Sequence, residues 1–326
     1  GLSKIRGVGG GLFRGGDLYD GISHLHVVID PPRDGFFGVL RPEPVSLSPP
    51  SWVPTEISSY NAFGWDIETT FNNIGKIVSR FGGEGQFEKF IDRSFQRPFD
   101  WDIREVLISK VTGNYVSLHR NEEPAGWSSS ARADGLEFED SESIALILDT
   151  LKTKLHNKGC RWTTIAGQKV CQLPRPRKAK PGQRQVQPHL WQTGRWLIFS
   201  DSISFMEEII RTNRGTGQRL LDDDDYALVV AEIDRQLDGD HPFLVSFRRD
   251  AEQLRFVYDT LKSKGMNREF WGGKNNKRLG NEMASLLSRQ TLPNFDLLSR
   301  YFFVSGIYGA DEPGGVHLGA ITLRPF

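Results

Sequence analysis

The sequence predicts an α+β protein with an antiparallel-rich mixed sheet and helices on one face. Three patterns support this prediction: short apolar strands, an Asp or Ser where the next helix begins, and helices with a single apolar stripe. Strand and helix follow one another in this way in four segments, which we interpret as repeated strand-helix units: 58–81, 136–155, 195–212 and 243–264. Strands joined both by hairpins and by helices are typical of an antiparallel or mixed sheet covered on one side.

The first unit shows the pattern most clearly. Residues 58–65 form the expected strand, and Asp66 stands where a cap would be. The apolar side chains then recur at helical spacing until Gly82 ends the helix: Ile67, Phe71, Ile74, Ile77, Val78 and Phe81. One face of this helix must be buried.

Further elements follow from the same rules. We expect a strand at 22–30 after a glycine-rich turn, helices at 84–93 and 100–109, and a strand at 111–119. Residues 301–308 and 316–323 look like a closing hairpin. The predicted organisation is an N-terminal strand and Pro/Ser-rich linker, a first α+β half that ends in a cysteine hairpin, a basic Pro-rich loop, and a second α+β half: 1–54, 55–173, 174–188 and 189–326.

Composition excludes several function classes. Of the 326 residues, 38% are hydrophobic, and 41 basic residues balance 41 acidic ones. No overall field therefore attracts the protein to nucleic acid, which is not expected as a partner. The apolar runs are much shorter than the roughly 18–20 residues that span a bilayer, so no transmembrane segment is expected. No nucleotide loop or nucleophile motif occurs, and no cofactor is expected.

The two cysteines flank a predicted hairpin. If Ala166 and Gly167 form its turn, Ile165 faces Gln168, and Cys160 and Cys171 lie diagonally on one face of the ladder. A disulfide is then geometrically allowed if a twist or bulge brings the Cα atoms within about 7 Å. The alternative is two reduced, half-buried thiols. A bonded pair would fit an oxidising compartment better than the cytosol.

His24 and His26 are the first candidate ligands. Residues separated by one position in a strand point to the same side of the sheet, as two ligands of one metal ion would. Amidohydrolase-like enzymes place a His-x-His pair on a first barrel strand. Further ligands in the required order are not evident here, and the pattern favours the simpler interpretation, two half-exposed histidines on a sheet face.

The segment after the cysteine hairpin is a second candidate site. It carries five basic side chains among prolines and glycines: Arg175, Arg177, Lys178, Lys180 and Arg184. Such a loop could bind an anion or an acidic partner. Its composition is also typical of a solvated loop that repels itself.

A resemblance covers most of the chain. It is carried by the run Ser23–Arg33, the segment Ser58–Asp66, the turn Phe81–Gly85, residues 102–113 and the ending Ile321–Arg324. These stretches resemble a family of uncharacterised secreted or envelope proteins of planctomycete bacteria, built from repeated strand and helix units. The resemblance implies an extracytoplasmic location and a longer precursor of which this chain is the C-terminal part. It supplies no catalytic residues.

Together these observations predict a non-catalytic, envelope-associated binding or structural protein, such as an accessory subunit of a larger assembly. Two alternatives stay open. One is a metal-dependent hydrolase that uses His24 and His26, and the other is an anion-binding module that uses the basic loop.

Overall fold

The computed structural model describes the greater part of the chain, with gaps between the described ranges. These are residues 4–16, 19–33, 37–39, 41–123, 129–175, 184–262 and 293–324. Of the basic loop, Arg177, Lys178 and Lys180 lie outside the described residues. Within these ranges, no helix combines the length and the apolar character that crossing a membrane requires.

A single sheet of 12 strands organises the molecule. The strands are β1 (Ile5–Arg14), β2 (Tyr19–Ile29), β3 (Ser59–Gly64), β4 (Val111–Asn121), β5 (Ser130–Phe138), β6 (Arg161–Ile165), β7 (Gln168–Gln172), β8 (His189–Thr193), β9 (Trp196–Ser200), β10 (Pro242–Arg249), β11 (Val304–Glu312) and β12 (Gly315–Leu323). Their spatial order is β1-β2-β12-β11-β10-β3-β4-β5-β9-β8-β7-β6. Every neighbouring pair is antiparallel.

Helices follow or connect these strands. They are α1 (Ile67–Gly82), α2 (Gln86–Ile91), α3 (Arg97–Phe99), α4 (Ile103–Val106), α5 (Ser141–Leu155), α6 (Ile203–Asn213), α7 (Asp224–Leu237), α8 (Asp250–Lys262) and α9 (Phe295–Ser299). A π-helical turn spans Asp92–Gln96, and short 3₁₀ turns span Ile108–Lys110, His156–Lys158 and Leu220–Asp222. The α+β class with an antiparallel sheet is therefore confirmed.

The helices pack on both faces of the sheet, not on one as predicted. On β9, Ile198 belongs to the larger core, which includes Phe205 of α6 and Val229 of α7. Its neighbour Leu197 packs instead against the smaller core, which includes Ile144 of α5. Because successive residues of a strand point to opposite sides, α5 and α6 cover opposite faces. Units that look alike in sequence thus pack differently, and the expectation of equivalent repeats is not confirmed.

The strand order also mixes the two predicted halves. Strands β10, β11 and β12 come from the second half, yet they lie between β2 of the N-terminal segment and β3 of the first half. The cysteine hairpin, β6 and β7, lies at one edge of the sheet and not between two halves. The opposite edge is β1, a strand in a region where the glycines had suggested only a turn. Pairing between distant segments, which local patterns do not encode, decides this order.

Candidate metal centre

Three strands near the β1 edge bring histidines and a carboxylate together. In the pairing of β2 with β12, His26 lies directly opposite His317, and His24 lies opposite Gly319. One step further along, Ile22 pairs with Ile321 on the same face, and both belong to the larger core. The imidazoles therefore continue the buried face of the sheet toward solvent. Both members of the His-x-His pair do lie on one face of β2, as the spacing predicts.

Glu312 completes the cluster from the end of β11. Its carboxylate oxygens lie 3.7 Å from His26 Nδ1 and 3.4 Å from His317 Nδ1. The three ligand atoms all lie within 4.8 Å of one another. Two ligands at about 2.0–2.1 Å from a tetrahedral zinc ion are separated by roughly 3.3 Å, so these spacings suit a shared ion.

The rings of His26 and His317 lie nearly parallel. Their centroids are 4.1 Å apart, with an interplanar angle of 11°. The His317 side chain is 11% exposed, whereas that of His26 is 47% exposed, so the cluster has one inner and one outer imidazole. Gly9 of β1 lies beside His26 and adds no side chain over it, whereas the Phe13 ring of β1 lies edge-on to His24 with the ring centroids 6.0 Å apart. The site is therefore open on the β1 side of His26.

His24 belongs to the surroundings of the cluster and not to the three-residue set. Its Nδ1 lies 3.0 Å from His317 Nε2, on the ring side away from Glu312. The Tyr308 hydroxyl lies 3.5 Å from the same His24 nitrogen. If His317 binds an ion through Nδ1, its Nε2–H can donate to His24 Nδ1, and a contact of this kind fixes the orientation of a ligating histidine.

The electrostatics favour neutral imidazoles at His317 and His24. Burial lowers the pKa of His317 below its ordinary value of 6.5, and repulsion from a charged His26 lowers it further. The pKa of His24 is lowered for the same two reasons, with burial the larger. A neutral ring keeps the lone pair that a metal ion requires.

Sequence reasoning found His24 and His26 but missed Glu312 and His317. The alternation of side chains along β12 could have found His317. His317 lies on the same face of this strand as Ile321 and Leu323, which are core residues. A polar residue in that alternating apolar series marks a position on the buried side of the sheet. Its proximity to His26 depends on a strand pairing that joins the two ends of the chain.

The predicted disulfide is wrong for this structure. The hairpin register is as expected, because Ile165 faces Gln168 and Trp162 faces Cys171. Cys160 and Cys171 are nevertheless free, buried thiols with their sulfurs 3.3 Å apart. A disulfide bond is about 2.05 Å long. In the diagonal arrangement the two sulfurs are close enough for a thiol contact but remain beyond bonding distance.

The described part of the basic loop does not form one patch. The Arg184 side chain is 7% exposed and contacts two carboxylates, Asp201 at 2.7 Å and Glu122 at 3.8 Å. Arg175 is exposed and donates to the side chain of Gln187. Arg184 therefore anchors the end of the loop to the sheet and does not face solvent as an anion ligand would.

Comparisons of the chain with protein-family models, with curated proteins and with solved structures found no match. The resemblance to planctomycete envelope proteins consequently stays a prediction. The functional argument depends on the geometry of the histidine cluster itself.

Proposed function

We propose that this protein binds a divalent transition-metal ion of the zinc type through His26, Glu312 and His317. The observation that carries the proposal is the convergence of these three side chains from β2, β11 and β12, with ligand atoms within 4.8 Å of one another. Two imidazoles and one carboxylate form a ligand set that zinc uses in proteins. Hard ions such as Ca²⁺ and Mg²⁺ prefer oxygen ligands and would be disfavoured here.

This proposal keeps the binding role expected from the sequence and gives it a ligand class. The His24 contact to His317 supports it, because an orienting partner on the second ring nitrogen is typical of metal-bound histidine. The envelope location and a protein partner remain predictions from the sequence alone.

Metal analysis of the purified protein tests the proposal. After dialysis against dilute zinc, about one ion per chain should be retained, and His317→Ala or Glu312→Gln should abolish this retention. His24→Ala should retain zinc with an affinity reduced roughly 10- to 100-fold, as expected for an orienting partner. His156→Ala is the matched control because His156 is exposed and lies in a distant 3₁₀ turn. Equal zinc content in wild type and His317→Ala would disprove the assignment.

A metal-dependent hydrolase is the second candidate. It is favoured by the three-ligand set and by the exposure of His26, since catalytic zinc sites keep one position open for water. The test is hydrolysis of activated ester and phosphoester substrates by zinc-loaded protein, with His317→Ala as the blank. Zinc-dependent turnover that this variant lacks would support the hydrolase, and zinc binding without turnover would leave a binding protein.

A further inference from the structure

The opposite face of the same strands carries a second feature. Val27 and Val316 pair directly between β2 and β12, and each lies next in sequence to a candidate metal ligand. Because adjacent residues of a strand point to opposite sides, these valines face away from the histidine cluster. They line a cavity of about 330 Å³ together with Arg33, Phe37 and Pro42.

Aromatic rings form much of this cavity. Phe63 of β3 lies 5.8 Å from Trp65 and 6.4 Å from Phe243 of β10, measured between ring centroids. Trp65 is 37% exposed, and the other two rings are less exposed. Rings at these separations can receive a further aromatic ring by edge or offset contact.

Among the described residues that line the cavity, Arg33 is the one charged side chain. Its guanidinium is already held by the β11–β12 hairpin, where it contacts the Asp311 carboxylate and donates to the carbonyl oxygens of Glu312 and Gly315, the latter at 2.9 Å. An anionic ligand would have to displace Asp311 to reach it. The cavity therefore favours an uncharged molecule.

The volume limits the size of that molecule. Apolar cavities of about 150 Å³ hold one benzene ring. A cavity of about 330 Å³ is roughly twice as large and suits two fused or linked rings. Small-molecule sites are usually clefts or cavities of about 300–1,000 Å³ with mostly apolar linings, so this volume lies within the usual range.

We infer that this cavity binds a small, uncharged, bicyclic aromatic molecule, at a site separate from the metal centre. The ligand would stack against Phe63, Trp65 and Phe243 and would contact Val27 and Val316 of the sheet. This inference is independent of metal binding, since the two sites share strands but use opposite faces.

The test uses N-phenyl-1-naphthylamine, a neutral probe that fluoresces in apolar surroundings. We expect saturable binding of one probe per chain, with quenching of tryptophan emission. The sulfonated analogue 1-anilinonaphthalene-8-sulfonate should bind at least tenfold more weakly. Val316→Trp should fill the cavity and lower the affinity for the neutral probe at least tenfold, and Trp65→Ala should weaken it in the same direction.

Val28→Trp is the matched control. It introduces the same side chain on β2, at a position that is 46% exposed and faces the opposite side from Val27, so it should leave probe affinity unchanged. Far-ultraviolet circular dichroism verifies that each variant is folded. Absence of saturable probe binding by the wild type, unchanged affinity in folded Val316→Trp, or equal affinity for the sulfonated probe would overturn the inference.

Discussion

Gly319 of β12 is a position where one methyl group should strongly disturb the histidine region. It lies directly opposite Tyr308 of β11, and the tyrosine ring covers it. A Cβ atom at residue 319 would lie 2.1 Å from Cζ of Tyr308, where ordinary contacts are 3.4–4 Å. Tyr308 is fully buried, so its ring has little room to move away.

The expected cost follows from this geometry. Overpacking of a buried site typically costs about 1–3 kcal/mol, and we expect Gly319→Ala to lie near 3 kcal/mol because the ring must shift by more than about 1 Å. The shift would also move the Tyr308 hydroxyl, which lies 3.5 Å from His24 Nδ1. Zinc affinity should therefore fall together with stability.

Gly9→Ala provides the matched control. Gly9 lies on β1 opposite His26, and a Cβ atom there would have no neighbour within 4 Å. This substitution should be neutral or should stabilise by up to about 1 kcal/mol, because alanine loses less conformational entropy than glycine.

Urea unfolding monitored by tryptophan fluorescence measures both variants. In a Tyr308→Leu background the added cost of Gly319→Ala should shrink to below roughly 1 kcal/mol, since the two residues act through one contact. Equal unfolding midpoints for wild type and Gly319→Ala would refute the packing argument.

Three further predictions concern other parts of the fold. Burial lowers the pKa values of His119 and His189 below 6.5, so protonation of these rings favours the unfolded chain. Their contribution to stability should be complete above pH 6.5 and should fall as the pH drops below that value. An unfolding midpoint at pH 5.5 equal to that at pH 7.5 would contradict this. Both cysteines are buried, and burial raises the pKa of the Cys171 thiol to about 12. A thiol reagent should therefore react with neither cysteine in the native protein and with both after unfolding without reductant, whereas a titre of zero in urea would show a disulfide. Arg184→Ala should destabilise by about 3 kcal/mol because it removes the buried guanidinium that lies 2.7 Å from the largely buried Asp201 carboxylate. Arg175→Ala should cost less than about 1 kcal/mol because Arg175 is exposed, and equal urea midpoints for the two variants would contradict the difference.

Local patterns in the sequence were sufficient for the individual elements. Asp66 accepts a hydrogen bond from the Thr69 amide at the start of α1, as its position before the apolar stripe predicts. Ala166 and Gly167 both have positive φ in the turn of the cysteine hairpin. The period of two residues placed His24 and His26 on one side of β2. Each of these depends on neighbours only a few residues apart.

The tertiary structure alone decided which strands meet and which faces are covered. His26 lies beside His317 because β12 pairs with β2, and no local pattern encodes a pairing between the two ends of the chain. The same is true of α5 and α6, which each follow a strand and a capping residue in the sequence yet cover opposite faces. Side-chain periodicity fixes the two sides of a strand relative to each other. The burial of apolar surface by the whole sheet determines which side of each strand becomes core. This choice placed the histidine cluster on one face of the sheet and the aromatic cavity on the opposite face.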